Sequence, residues 1–183
     1  MNAISPALIA ETTCDPFAAA TKRMNEWRGR CLAIFARAEL AVTKCLVAMA
    51  AVPGKGDAVR LPHLVGQRFE ALAGAIAAGG PFATGGDKLQ TSIDQFRGHA
   101  AFRALLSHGS CDVLLDRRGG CTFVLHMLCL RNRSAETERL FLSEAEAECL
   151  RLEISRCGNH LCSHVTRFQV QLATNTPADP SAP

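Results

Sequence analysis

The chain has 183 residues, of which 48% are hydrophobic and 20% charged, with a formal net charge of +3. That balance excludes a disordered polymer, and the length suits one domain that buries roughly 70% of its unfolded surface on folding. The mild positive charge permits a nucleic-acid partner without requiring one, and no stretch stays apolar for the roughly 18 residues that a membrane span needs.

Residues 1–14 read as a poorly ordered lead-in without the basic and apolar regions of an export signal. Asp15-Pro16 is a strong helix start, pairing a capping carboxylate with a proline at the first helical position. Phe17, Ala20, Met24, Trp27, Cys31, Ile34 and Ala38 then recur at steps of three and four, continued by Phe35, Val42, Leu46 and Met49. This predicts one long amphipathic helix over 16–51, with a bend near Gly29, ending before Pro53-Gly54-Lys55-Gly56. A second helix is expected over 61–78, with Pro62 in its first turn and Leu61, Val65, Phe69, Leu72 and Ile76 on its buried face. After a glycine-rich loop, Asp87 caps a third helix over 87–108, carrying Leu89, Ile93, Phe96 and Ala100 on one stripe.

At Gly109 the apolar period changes from helical to near two. Cys111–Asp116, Cys121–Arg131 and Thr137–Leu142 read as strands of an antiparallel sheet, the first two joined by a turn at Arg117-Arg118-Gly119-Gly120. The second run is apolar on both faces and belongs in the centre. Ser143 and Glu146 form a capping box that opens a closing helix over 144–172, and 174–183 reads as a disordered tail. The expected fold is α+β: three helices, a three-stranded antiparallel sheet and a long C-terminal helix, all one domain over 15–173.

One local pattern joins a charged anchor to a proton-transfer group, namely Arg103-Ala104-Leu105-Leu106-Ser107-His108-Gly109. Arg103 falls within about 60° of the apolar stripe of its helix, so its guanidinium needs an anion. Glu39, beside the drifting stripe of the first helix, is the expected partner. A purely structural Arg103 and a His108 that merely favours a helix C-terminus form the alternative. The run resembles the HEPN superfamily of helical domains, in which an Arg is followed after four to six residues by His and often Gly. The resemblance covers residues 16–110 and implies metal-independent RNA cleavage in a homodimer, with Arg103 and His108 as the reacting pair and Glu39 orienting them. The family usually places a polar residue after the Arg, where this chain has Ala104. A non-catalytic helical interaction module, docking a protein partner, is therefore carried beside the toxin-like or ribonuclease reading.

Cys157, His160, Cys162 and His164 raise the question of zinc, but Cys157 lies on the apolar stripe and Cys162 points about 140° from it. A fourth ligand would have to come from His126 or Cys129. Packing is the preferred reading, with no metal and no cofactor expected. The nine cysteines are odd in number and irregular in spacing, which suits reduced thiols in a cytosolic protein. Arg117, Arg118, Arg131 and Arg133 read as a solvated loop surface, and the Gly79-Gly80 and Gly85-Gly86 pairs do not make a phosphate loop.

Overall fold

The computed structural model describes residues 15–84, 86–131 and 134–175. The expected lead-in and all of the expected tail except Thr174 and Asn175 lie outside the described residues. Among the described residues the architecture is the expected α+β arrangement, with five α-helices in place of the expected four and a three-stranded antiparallel sheet of order β1-β2-β3.

Helix α1 (Pro16–Ala50) is capped by Asp15, whose Oδ1 accepts from Phe17 N at 2.9 Å. Its stripe from Ala20 to Met49 is buried as the spacing predicts, whereas Phe17, expected at the start of that stripe, is exposed. The chain turns back through a short 3-10 segment, Gly56–Ala58, where a side chain on Gly56 would collide with the Ala50 carbonyl.

Helix α2 (Val65–Ile76) starts four residues later than the sequence suggests, and Leu61 and Leu64 are exposed. Proline disfavours helical geometry in the residue before it, so Pro62 keeps Leu61 out of the helix. Arg68 then fixes the approach, donating to the carbonyls of Pro62 (3.1 Å) and His63 (2.7 Å) and to Thr43 Oγ1 (3.1 Å).

The expected third helix is two: α3 (Asp87–Arg97) and α4 (Ala100–His108). They part at Gly98-His99, where Gly98 N reaches Asp94 O, His99 N bonds Phe96 O in a tighter turn, and Arg103 N restarts the ladder on His99 O. Glycine inside a helix costs about 1 kcal/mol relative to alanine, so the break falls at the weakest point.

Strands β1 (Ser110–Leu115) and β2 (Cys121–Arg131) are joined by a turn in which Gly119 takes φ +82 and Asp116 Oδ1 accepts from Arg118 N and Gly120 N. Strand β3 (Ser134–Ser143) begins three residues earlier than the expected Thr137. Its first residues lie exposed on an edge strand, where polar side chains carry no burial signal. Cys121, Phe123 and Leu125 point into the core. The opposite face of β2 is open, with Leu128 at 64% and Leu130 at 80% exposure. From Met127 onward β2 pairs only with β3 among the described residues.

Helix α5 (Glu144–Asn175) opens on the predicted capping box: Ser143 N donates to Glu146 Oε2 at 2.8 Å, and Glu146 N donates to Ser143 Oγ at 3.3 Å. The Ser143 hydroxyl, which donates to Glu146 Oε2 at 2.7 Å, and the Ser143 N–H hold the Glu146 carboxyl below the usual carboxylate range. Ala147, Ile154, Leu161, Val165 and Phe168 bury one face of α5 against α1 and α3. Among the described residues, no helix is long and apolar enough to cross a membrane.

Close approach of α5 is set by Gly158, where an added Cβ would lie 2.9 Å from Ile34 Cγ2 and 3.4 Å from Phe96 Cε2. Gly29, by contrast, is exposed and would place a Cβ in open space. We expect Gly158→Val to lose about 1–3 kcal/mol by overpacking. Gly29→Ala should gain about 0.5–1 kcal/mol from helix propensity. Urea unfolding midpoints of the two variants, moving in opposite directions, provide the check.

Candidate functional site

The site is organised by the nine-residue helix α4, which turns different faces to α1 and to the sheet. Arg103 lies in its middle, half-buried, and its Nε donates to Glu39 Oε1 of α1 at 3.0 Å. Glu39 is therefore the partner that the stripe geometry predicts. The pair borders a cleft of about 330 Å³ whose wall includes Phe35, Phe69, Phe96 and Ala104. The Phe69 and Phe96 rings stack at 5.9 Å, and Phe35 tilts against Phe96 at 5.4 Å. A second ion pair, Arg97 to Glu70 at 3.5 Å, lies on the same cleft. The cleft thus joins an aromatic floor to two arginine–carboxylate pairs whose charges balance.

His108 does not line this cleft. It is the last residue of α4 and is exposed. Five helical residues separate it from Arg103, or about 140° of rotation. Within one chain, then, Arg103 and His108 occupy different faces of the helix.

The end of α4 is held by a residue that no motif in the sequence marks. Arg28 of α1 donates from Nε to Leu106 O at 2.7 Å and from Nη2 to Gly109 O at 3.3 Å. A cation on the last carbonyls of a helix offsets both their unmet hydrogen bonds and the negative end of the helix dipole. Gly109 has to be glycine for a different reason: a side chain there would strike the Leu105 carbonyl and come within 2.9 Å of His126 O.

Beyond that glycine the first two strands assemble a polar group. Ser110 and His126 are cross-strand partners, with Ser110 Oγ and His126 Nε2 2.6 Å apart. Asp112 Oδ2 lies 3.6 Å from His126 Nδ1. The legible signal was the turn at 117–120: fixing it fixes the register, which brings Ser110 opposite His126. The three groups follow the atom order of an acyl-transfer triad, but such a triad buries its carboxylate in a hydrogen bond. Here Asp112 is 65% exposed and lies beyond hydrogen-bond length. The array orients His126 and does not activate Ser110.

The cysteine and histidine set of α5 is dispersed. His164 Nδ1 lies 2.6 Å from the buried Ser92 Oγ, and burial keeps the imidazole below its ordinary pKa. Cys157 packs against the core while His160 is exposed. Among the described residues, no three His, Cys, Asp or Glu side chains gather as metal ligands. Arg117 and Arg118 flank the exposed β1–β2 turn; Arg133 lies outside the described residues.

Compared with protein-family models, curated proteins and solved structures, the chain matches none.

The thiols divide by burial. Desolvation pushes Cys45 up to about 12 and Cys31 up to about 11, whereas Cys149 is exposed. Because the thiolate is the reacting form, a thiol reagent at pH 8 should modify Cys149 first among the described cysteines of the native protein. Cys31 and Cys45 should react only after urea is added. Peptide mapping by mass spectrometry reads this directly, and early modification of Cys45 would contradict the buried placement.

Proposed function

We propose that the chain is a HEPN-like, metal-independent endoribonuclease, acting as a cytosolic homodimer in the manner of a toxin-like effector. The observation that carries this reading is the Arg103–Glu39 contact. Glu39 takes the Nε edge of the guanidinium, and among the described residues the two Nη nitrogens make no hydrogen bond, which leaves them for a phosphate. His108, exposed at the secured end of the same helix, is the proton-transfer group. In RNA the 2′-hydroxyl can attack its own phosphodiester, losing a proton as the O–P bond forms and leaving a cyclic phosphate end. An imidazole suits that transfer near neutral pH. Since Arg103 and His108 lie on different faces of α4, the reading needs a second copy, so that the Arg103 of one chain serves the His108 of the other.

A second reading is favoured by Ala104. It lines the cleft where the family usually has a polar residue, beside an aromatic floor suited to an apolar partner. In that case the same cleft belongs to a non-catalytic module that binds another protein.

The two readings part in one assay. Purified protein with EDTA present should cut single-stranded RNA to cyclic phosphate ends, and a deoxyribose at the cut should block it. His108→Ala should lower the rate by about 10²–10⁴. Arg103→Ala should do likewise, with unfolding measured beside it because Glu39 loses its partner. Ala104→Asn should raise the rate. A folded protein that cuts no RNA before or after that change belongs to the binding-module class.

A further inference from the structure

We infer that His126 is a second proton-transfer group for the reaction proposed above, so that each chain carries both proton-transfer groups at its α4–β1 junction. The inference rests on the RNA-cleavage reading and extends it to a residue that the Arg103–His108 pattern does not contain. Transphosphorylation of RNA moves two protons. One leaves the 2′-hydroxyl as its oxygen bonds to phosphorus, and one must reach the 5′-oxygen as its bond to phosphorus breaks. His108 alone serves one of these roles in a given step.

The junction supplies the other. His108 ends α4, and Ser110, two residues on, lies 2.6 Å from His126 Nε2. Two residues of chain span at most roughly 7 Å, and the backbone at Gly109 lies directly against the His126 carbonyl. His108 thus immediately precedes Gly109 at the end of α4, and His126 stands opposite Ser110 on β2, so a substrate phosphodiester at this junction would meet both residues.

Asp112 stands at Nδ1 of His126, which leaves Nε2 as the working nitrogen. The Ser110 hydroxyl marks where a substrate oxygen would sit; it is exposed, so rotation about χ1 vacates the position. Arg28 completes the set. Two of its N–H groups hold the helix end through Leu106 O and Gly109 O, and a guanidinium carries five, so donors and a full positive charge remain at the junction for phosphate. In the reaction, one imidazole accepts the 2′-hydroxyl proton and the other, already protonated, gives its proton to the 5′-oxygen. The products are a cyclic phosphate and a 5′-hydroxyl. The two histidines end with exchanged protonation, which solvent restores.

The test uses two esters with the full-length protein: an ordinary uridylyl dinucleotide and a uridine 3′-nitrophenyl phosphate, whose leaving group departs without a proton. His108→Ala and His126→Ala, with His126→Gln as a size-conserving second variant, should each cut the dinucleotide at least about 100-fold more slowly than wild type. On the nitrophenyl ester just one of the two positions should recover to within about tenfold of wild type, because only the variant lacking the acid is relieved by the better leaving group. Recovery also demonstrates a folded site, which a merely structural role for the histidine would not produce. Dinucleotide cleavage by both His126 variants within about threefold of wild type would overturn the inference and leave the RNA-cleavage reading intact. So would an equal response of the two positions to the leaving group. Wild-type protein inactive on both esters would remove the RNA-cleavage reading and this inference with it.

Discussion

Trp27 donates its indole N–H to the Ala147 carbonyl at 2.7 Å, across 120 residues of sequence, in a buried setting. Its ring meets Phe123 of β2 at 5.4 Å and Phe102 of α4 at 6.1 Å. One side chain of α1 therefore fixes the first turn of α5, the core face of the sheet and the underside of α4. A buried indole without an acceptor is costly, so the start of α5 is not free to slide along α1. Arg28, the next residue, uses that fixed geometry to reach the carbonyls at the end of α4. The switch from helix to strand at Gly109 is thus set from α1, far away in sequence.

Helix α4 separates its polar groups by rotation. Arg103 faces α1 and the cleft, with Glu39 holding one edge of the guanidinium, while His108 emerges at the other end beside the sheet. A guanidinium that is half-buried needs its carboxylate for stability as well as for orientation, because leaving either partner alone in the cleft is unfavourable. The pair therefore serves the fold whatever else it does. The groups near His108 are different: Ser110, Asp112 and His126 lie on the exposed side of the sheet and contribute little to the core. Polar side chains gathered where the core does not need them are the more informative of the two sets.

Much of this was legible in the sequence, for identifiable reasons. Asp15-Pro16, the Ser143–Glu146 box and the turn at 117–120 are local devices whose chemistry decides the backbone nearby, and each appears where the residues placed it. The stripe of α1 and its leftover Glu39 were enough to pair Glu39 with Arg103, since periodicity reports which side chains share a face. The delayed start of α2 was hidden because Arg68 satisfies the carbonyls before the helix, a contact that no hydrophobic pattern encodes. The break at Gly98 was hidden because Ala100 continues the spacing of Leu89, Ile93 and Phe96, although it is exposed and α4 buries Leu105 and Leu106 on another phase. Arg28 could not be read at all from one dimension, since its acceptors are backbone carbonyls, which every residue has. His126 was visible only as a zinc-ligand candidate; its polar neighbours follow from strand register, not from spacing along the chain.

The burial of Cys31 and Cys45 has a consequence for how the protein unfolds. In the native state their thiols are shielded along α1, and the described cysteines form no disulfide with one another. Unfolding adds these buried thiols to the reactive ones of a flexible chain that has nine cysteines. In air they can be oxidised in combinations that the fold does not accommodate, and a chain so cross-linked cannot regain the packing around Trp27. Without a reductant, reversibility on cooling is then set by a race between refolding and oxidation, and the apparent melting temperature depends on the rate of heating.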